Sequence, residues 1–167
     1  MKIIGAVLVV LSCSVFGMNM ARTLRTRAEF LHSLVHGLTI LRNELCVSLL
    51  TVGEVLEILA EGSCGSACEF FSQCLRNFGN APFKTSWVTA ALGGGVWGLN
   101  DEECRMLAGL GDVIGRYEAE KQRELIDRVS RYFSERAQLA DEEKRRQYKL
   151  RAALGIGSGL MLAVLLL

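Results

Sequence analysis

The sequence predicts an all-α protein in which a cytoplasmic, antiparallel helical bundle is flanked by an N-terminal and a C-terminal transmembrane helix. Apolar residues make up half of the chain, and they are concentrated in uncharged segments at its two ends. Between these segments the apolar residues recur at spacings of three and four, which is typical of one helix face, and no stretch alternates as a strand would. We therefore divide the chain into residues 1–21, 22–151 and 152–167.

The first apolar segment, Ile3–Met20, contains no charged residue and is close to the ~20 residues that a spanning helix needs. A cleaved export signal would carry its positive charge before the apolar stretch. Here only Lys2 precedes it, whereas three arginines follow within residues 22–27. A lipid-modified Cys13 is an alternative, but the apolar stretch before this residue is very short. The charge order favours a retained transmembrane helix.

The second apolar segment, residues 152–167, follows a cluster of basic residues. These are Lys144, Arg145, Arg146, Lys149 and Arg151. Basic residues within ~15–20 residues of a span favour the cytoplasmic side, and both clusters flank the middle of the chain. We therefore expect residues 22–151 in the cytoplasm and both termini across the membrane.

The first half of the middle region predicts a long helix with a break or kink and then a second, shorter helix. A long amphipathic helix from Leu24 to Leu49 is indicated by Leu31, Leu34, Val35, Leu38, Leu41 and Leu45. Gly53 is predicted to break or kink it. Residues 62–66 are predicted to form a loop in which Ser66 caps the next helix, whose apolar face carries Phe70, Phe71, Cys74, Leu75 and Phe78. Gly79 and Asn80 are expected to end that helix.

The second half continues the same pattern. Pro82 suits the start of a helix that contains Trp87 and stops at the glycines of 93–95. Asn100 or Asp101 is predicted to cap a further helix, whose apolar face runs through Tyr117 and on to Phe133. The charged stretch that follows consists of good helix formers, so we expect the last helix to run into the C-terminal span with little interruption.

Histidine and cysteine are the residues that could carry metal or nucleophilic chemistry. His32 and His36 lie four apart on one predicted helix, without a third ligand or the glutamate of a metalloprotease motif. Cys64, Cys68 and Cys74 match neither the spacing of a zinc knuckle nor that of a redox pair. With both histidines on one helix, no hydrolytic triad can be assembled. We predict no catalytic, metal or cofactor site.

Two other functions find no support in the residues. The net charge of +1 gives no electrostatic argument for a nucleic-acid partner. The glycines of 93–95 lack the Lys-Ser/Thr pair of a phosphate-binding loop and do not follow a strand.

One pattern indicates a docking surface. Gly111, Gly115, Glu118 and Gln122 fall at offsets of zero, four, seven and eleven, which would place them in a single stripe on one helix. Glycine costs a helix about 1 kcal/mol relative to alanine, and it is usually tolerated where another helix approaches closely. The stripe is either packed inside the domain or forms a face on which a partner docks.

The sequence, including the segment that contains this stripe, resembles the stage III sporulation protein AB family of endospore-forming bacteria. The resemblance depends on the opening KIIGAVLVV, on Trp87 with Leu92, on LGDVIGRYEAEKQ and on the basic run before the apolar tail. It covers nearly the full length. Glu118 stands where the family typically has Asp, and the cysteine-rich loop around Cys64 is unlike the usual member.

The resemblance implies a non-enzymatic role in assembly. The family is similar to the cytoplasmic helical domain of the platform protein of type II secretion and type IV pilus systems, and its members belong to a complex that links mother cell and forespore. The implied location is the outer forespore membrane, with the central domain in the mother-cell cytoplasm. The implied partners are other membrane proteins of the stage III sporulation operon, a secretion-type cytoplasmic ATPase and membrane lipid, with a second copy of the chain as a further candidate.

Two rival functions follow from the residues alone. One is a membrane-anchored cytoplasmic adaptor outside sporulation, which the N-terminal match argues against. The other is a membrane enzyme that uses His32, His36 or Cys64.

Overall fold

The structure is a computed structural model that describes residues 26–166, and for 63, 94 and 147–166 it describes the backbone alone. Six α-helices and no β-strand occur in this part of the chain. The first, α1, covers 26–46, and the others are α2 (Val52–Ile58), α3 (Cys68–Phe78), α4 (Phe83–Leu92), α5 (Asp101–Gly109) and α6 (Ala119–Leu166). Short π- and 3-10-helical turns lie at Leu59–Ser63, Gly65–Ala67, Gly94–Trp97 and Leu110–Asp112.

Two side-chain contacts show that α1 and α6 run antiparallel. Arg42 Nη1 lies 2.8 Å from Asp127 Oδ1, and His32 Nε2 lies 2.8 Å from Asp141 Oδ2. Lower residue numbers on α1 therefore lie beside higher residue numbers on α6. Ala140 is buried, whereas the side chains of 142–146 are all exposed, so α6 leaves the bundle near Asp141.

The core is built around Trp87 of α4, which is fully buried. Its indole Nε1 donates a 2.7 Å hydrogen bond to the backbone oxygen of Leu107 in α5. The rings of Phe70 and Phe83 lie 5.0 Å and 5.4 Å from it, centroid to centroid. Leucines of α1 and the buried face of α6 close the core; these are Leu31, Leu34, Leu38, Leu41, Ile126, Val129 and Phe133. Burial of apolar surface is the main force that holds such a bundle together.

Helices α2 and α5 each begin with a capping box, in which two side chains accept hydrogen bonds from backbone N–H groups that lack a partner within the helix. Thr51 Oγ1 accepts from the N–H of Glu54, whose carboxylate accepts from the N–H of Thr51. Asn100 and Glu103 make the same reciprocal pair at the start of α5. The hydrogen bonds from Thr51 also lower the pKa of the Glu54 carboxyl.

Several helix boundaries confirm the sequence predictions. Helix α3 ends just before Gly79, and α4 begins directly after Pro82 and ends just before Gly93. Asn100 is the cap of α5. Helix α6 continues without a break from the bundle to Leu166, as expected of the last helix.

The predicted end of the first helix is wrong. Helix α1 stops at 46, and Leu49 adopts a positive φ of 57° with its side chain exposed. The break therefore precedes Gly53, which lies inside α2 close to Phe78. Ser66 is not a helix cap either: Ala67 occupies that position, and Ser66 Oγ donates to Ser33 Oγ on α1.

The prediction of one helix from Asn100 to Phe133 is also wrong. Helix α5 ends at Gly109, a 3-10 turn covers Leu110–Asp112, and α6 begins only at Ala119. Gly115 adopts a φ of +76°, which glycine alone reaches without strain, so the chain turns at this residue. The two segments are separate helices joined by a tight connection.

The predicted transmembrane helices fall at the limits of the description. Residues 1–21 lie outside the described residues. Residues 152–166 belong to the part of α6 for which the backbone alone is described, and Leu167 lies outside the described residues. Among the residues described with their side chains, no helix is both long enough and apolar enough to cross a membrane.

Candidate docking surface

Gly111 does not lie on an accessible helix face. It is buried in the 3-10 turn after α5, and a Cβ added to it would lie 3.1 Å from Trp87 Cδ1 and 3.4 Å from the backbone oxygen of Lys84. Such distances leave almost no space for a side chain. Of the two readings of the stripe, intradomain packing is therefore correct for this residue. The single helical stripe of Gly111, Gly115, Glu118 and Gln122 does not exist, because the chain turns between them.

Gly115, Glu118 and Gln122 are nevertheless brought together, by the turn and not by a helix. The N–H of Gly115 donates a 3.2 Å hydrogen bond to Gln122 Oε1, and Gln122 Nε2 donates to the backbone oxygen of Tyr117. The N–H of Gln122 donates in turn to the backbone oxygen of Glu118, at 3.0 Å. The Gln122 side chain thus closes the turn from the first helical turn of α6.

Charged side chains of α4 and α6 contact the residues of this turn. Lys84 Nζ lies 2.6 Å from Asp112 Oδ1, which also lies 3.9 Å from Arg116 Nη1. Lys121 Nζ lies 4.3 Å from the centre of the Tyr117 ring, which is a cation–π contact. These contacts fix the orientation of an otherwise exposed loop.

The loop between α1 and α2 lies beside this turn. A Cβ on Gly115 would lie 3.6 Å from a methyl group of Val52, and the Cys46 thiol interacts electrostatically with Arg123 and Glu120 of α6. The neighbouring Val47 and Leu49 are both exposed, as is Tyr117. We call this end of the bundle the apical surface; it comprises Val47, Leu49, Gly115, Tyr117, Glu118 and Gln122.

The apical surface combines exposed apolar side chains with the carboxylate of Glu118, and the basic residues Arg116 and Lys121 lie beside it in the sequence. Exposed large hydrophobic residues at one place on a domain mark surfaces that other proteins contact. Tyrosine is also among the residues that contribute most to such contacts. The exposed apolar groups and the hydrogen bonds of Gln122 therefore occur at the same end of the bundle.

The residues considered for chemistry have other surroundings. His32 Nε2 lies 2.8 Å from Asp141 Oδ2, and His32 and His36 are both exposed. Cys64 and Cys74 are buried free thiols. Burial and the neighbouring Cys68 raise the pKa of Cys64 to about 11, and burial raises the pKa of Cys74 to about 12. Such thiols stay protonated and are poor nucleophiles. No group of three metal-ligating side chains occurs in the part of the chain that the structure describes.

Sequence reasoning missed the ion pair that joins α1 to the start of α5. Arg27 Nη2 lies 2.7 Å from Glu103 Oε1, and Arg27 Nη1 donates to the backbone oxygen of Gly98. From its position Glu103 is simply an acidic residue in the first turn of α5, where the helix dipole favours negative charge. A carboxylate that is fully buried needs a cation, but a sequence separation of 76 residues gives no local signal of this partner.

The described residues form an all-helical domain, and the apical surface is an exposed end of it. Comparison with known families then identifies it further. Residues 2–167 match the family described as stage III sporulation protein AB, and the chain belongs to this family. Comparison with curated proteins and comparison with solved structures each find no match. The family ties the chain to sporulation.

Proposed function

We propose that this protein is a non-enzymatic assembly component of the channel complex between mother cell and forespore, anchored by a transmembrane helix at each end of the chain. Its helical domain would lie in the mother-cell cytoplasm, next to the outer forespore membrane. Membership of the sporulation family and the two apolar terminal segments support this assignment. The partners proposed are other membrane proteins of the stage III sporulation operon and a secretion-type ATPase.

The observation that carries the proposal is the continuity of α6. One helix of 48 residues contains the buried core residues Ile126 and Phe133 and then the C-terminal apolar segment. A helix rises 1.5 Å per residue, so α6 is about 70 Å long. A partner that binds the apical surface would therefore be connected to the membrane segment by a single rigid element. This is the arrangement expected of a platform.

The location of the domain is tested by labelling Cys46 in intact sporulating cells. Cys46 is half-buried, whereas Cys64 and Cys104 are buried and react only after unfolding, so Cys46 is the native probe of choice. A membrane-impermeant maleimide should label Cys46 only after permeabilisation. A Cys46→Ala variant shows which part of the signal belongs to this residue. Labelling of Cys46 in intact cells would place the domain outside the cytoplasm and would overturn the proposal.

The docking role is tested by charge reversal on the apical surface. Glu118→Arg should abolish spore formation and the capture of the operon's ATPase, at an unchanged amount of protein. Glu61→Arg is the matched control, because Glu61 is also exposed but lies in the turn after α2. Normal sporulation in both variants would contradict a docking role for this surface.

The rival enzyme is tested by removing the candidate reactive side chains. His36→Ala and Cys64→Ala should sporulate normally if the protein is a platform, because neither residue belongs to the apical surface. A loss of sporulation in a variant that is still folded and membrane-bound would favour the enzyme.

A further inference from the structure

The loop between α4 and α5 has a composition that is unusual for an exposed segment. Residues 92–98, the last residue of α4 and the six that follow it, read Leu-Gly-Gly-Gly-Val-Trp-Gly and contain no charged side chain; we call them the glycine loop. Val96 is 83% exposed and Leu92 is 60% exposed, although loops in contact with water are normally polar. Gly95 has open space around its Cβ position, so packing does not require glycine there.

The glycine loop lies at the end of the bundle opposite the apical surface. Trp97 stacks on Phe30 with the ring centres 5.1 Å apart, and a Cβ on Gly98 would lie 3.3 Å from Arg27 Cβ. The loop is therefore level with the first residues of α1. The pairing of His32 with Asp141 places this level of α1 beside residues 143–146 of α6.

This level is close to the C-terminal apolar segment. Helix α6 continues from 143–146 to residue 152, so a rise of 1.5 Å per residue separates the two by about 9–14 Å. The headgroup layer of a bilayer adds roughly 5–7 Å to each side of the hydrocarbon core. At the N-terminal side Arg27 comes seven residues after Met20, so the chain between them spans at most ~25 Å.

We propose that the glycine loop rests on the bilayer surface, with Val96 and Leu92 in contact with the headgroup layer of the membrane that anchors the chain. The inference depends on the proposed function for the presence of the membrane. Charge complementarity identifies lipid as the occupant. Of the exposed residues 143–146, Glu143 is acidic, while Lys144, Arg145 and Arg146 are basic and lie nearer to the apolar segment, where they can bind the phosphates of anionic lipids. The contact would fix the tilt of the bundle, and with it the direction in which the apical surface points.

The test uses two tryptophan variants of the full-length chain. Val96→Trp places a fluorophore in the glycine loop. Val47→Trp is the matched control, because Val47 is also a valine in a loop, is 72% exposed and belongs to the apical surface. Val47 comes twenty residues after Arg27, so a helical rise of 1.5 Å per residue places the control about 30 Å further from the membrane. The wild-type emission of Trp87 and Trp97 is subtracted.

Each variant is reconstituted in vesicles of phosphatidylglycerol and phosphatidylcholine, with and without phosphatidylcholine that is spin-labelled on its headgroup. The added emission of Val96→Trp should be quenched by the spin label and shifted to the blue relative to Val47→Trp. Equal quenching of the two variants, with the chain fully embedded in the vesicles, would overturn the contact between the glycine loop and the membrane but not the proposed function. If the chain floats with the vesicles but is extracted by alkaline carbonate, the proposed transmembrane anchoring fails as well.

Discussion

Arg27 and Glu103 form an ion pair that joins the beginning of α1 to the first turn of α5. The Arg27 guanidinium lies 2.7 Å from the carboxylate of Glu103, whose side chain is fully buried. The same carboxylate accepts from the N–H of Asn100 at 2.9 Å, so the capping box of α5 and the pair share one group. Arg27 also donates to Gly98, the last residue of the glycine loop. This pair therefore positions the loop relative to α1.

Arg27→Met should destabilise the domain by about 2–4 kcal/mol, because it leaves a buried carboxylate without its cation. Methionine keeps much of the apolar stem of arginine, so the loss reports mainly on the charge. Urea unfolding of the full chain in detergent, followed by the fluorescence of the buried Trp87, measures the change.

Arg128→Met serves as the control for this prediction. Arg128 and Glu124 form an exposed pair on α6 at 3.1 Å, and pairs of that kind contribute little. We expect a change of about 0.5 kcal/mol or less. Similar losses in the two variants would show that burial of Glu103 does not set the cost.

Alanine at Gly111 and at Gly109 should have opposite effects. At Gly111 the new methyl group would meet Trp87 Cδ1 at 3.1 Å, and overpacking of this kind typically costs about 1–3 kcal/mol. At Gly109, the last residue of α5, no atom lies within 4 Å of the Cβ position, so alanine should stabilise the helix by up to about 0.5–1 kcal/mol. The two midpoints of urea unfolding should move in opposite directions. A stabilised Gly111→Ala would contradict the close contact with Trp87.

The helix boundaries set by local chemistry could be predicted from the sequence, whereas the turn at Gly115 could not. Pro82, Asn100 and Gly93 act within a few residues of themselves, and α4 and α5 begin or end beside them. Around Gly115 the apolar residues keep helical spacing across the turn, so periodicity alone predicts one helix. The second glycine was the available signal, because two glycines four apart favour a break as well as a close approach.

The candidate docking residues were predicted for a reason that proved partly wrong. Gly115, Glu118 and Gln122 do lie together, but through a hydrogen-bonded turn, and Gly111 belongs to the core. Contacts between residues far apart in sequence decide this difference. Trp87 limits the space at Gly111, and Val52 lies close to Gly115. Neither contact can be predicted from residues 111–122 alone. The same holds for the partner of Glu103.

Gly115→Ala should destabilise the turn by about 1 kcal/mol, because alanine is strained at a φ of +76°. Gln122→Leu should also weaken the turn, since it removes the acceptor of the Gly115 N–H and the donor to Tyr117. Amide hydrogen exchange of the full chain should show faster exchange in 113–118 for both variants, with the core of α4 unchanged. Unaltered exchange in this turn would show that Gln122 does not hold it.

The stability of the domain should fall as the pH rises above about 9, and the Cys74 thiol should account for part of this loss. Burial raises the pKa of Cys74 from 9.0 to about 12 in the folded state. Well below pH 9 the thiol is protonated in both states, so its contribution is fully present. Above this pH the unfolded state ionises first, and the contribution is lost as the pH rises through the folded pKa.

Cys74→Ala should therefore lose less stability than the wild type between about pH 8 and about pH 10.5, by about 1–2 kcal/mol. Comparing the two chains removes the titration of lysines and tyrosines, which both contain. Cys46→Ala is the control: burial also raises the pKa of Cys46, but Arg123 and Arg42 oppose the shift. Its pH dependence should stay close to that of the wild type. Parallel pH dependences for Cys74→Ala and the wild type would mean that the Cys74 thiol ionises in the folded bundle as readily as in the unfolded chain.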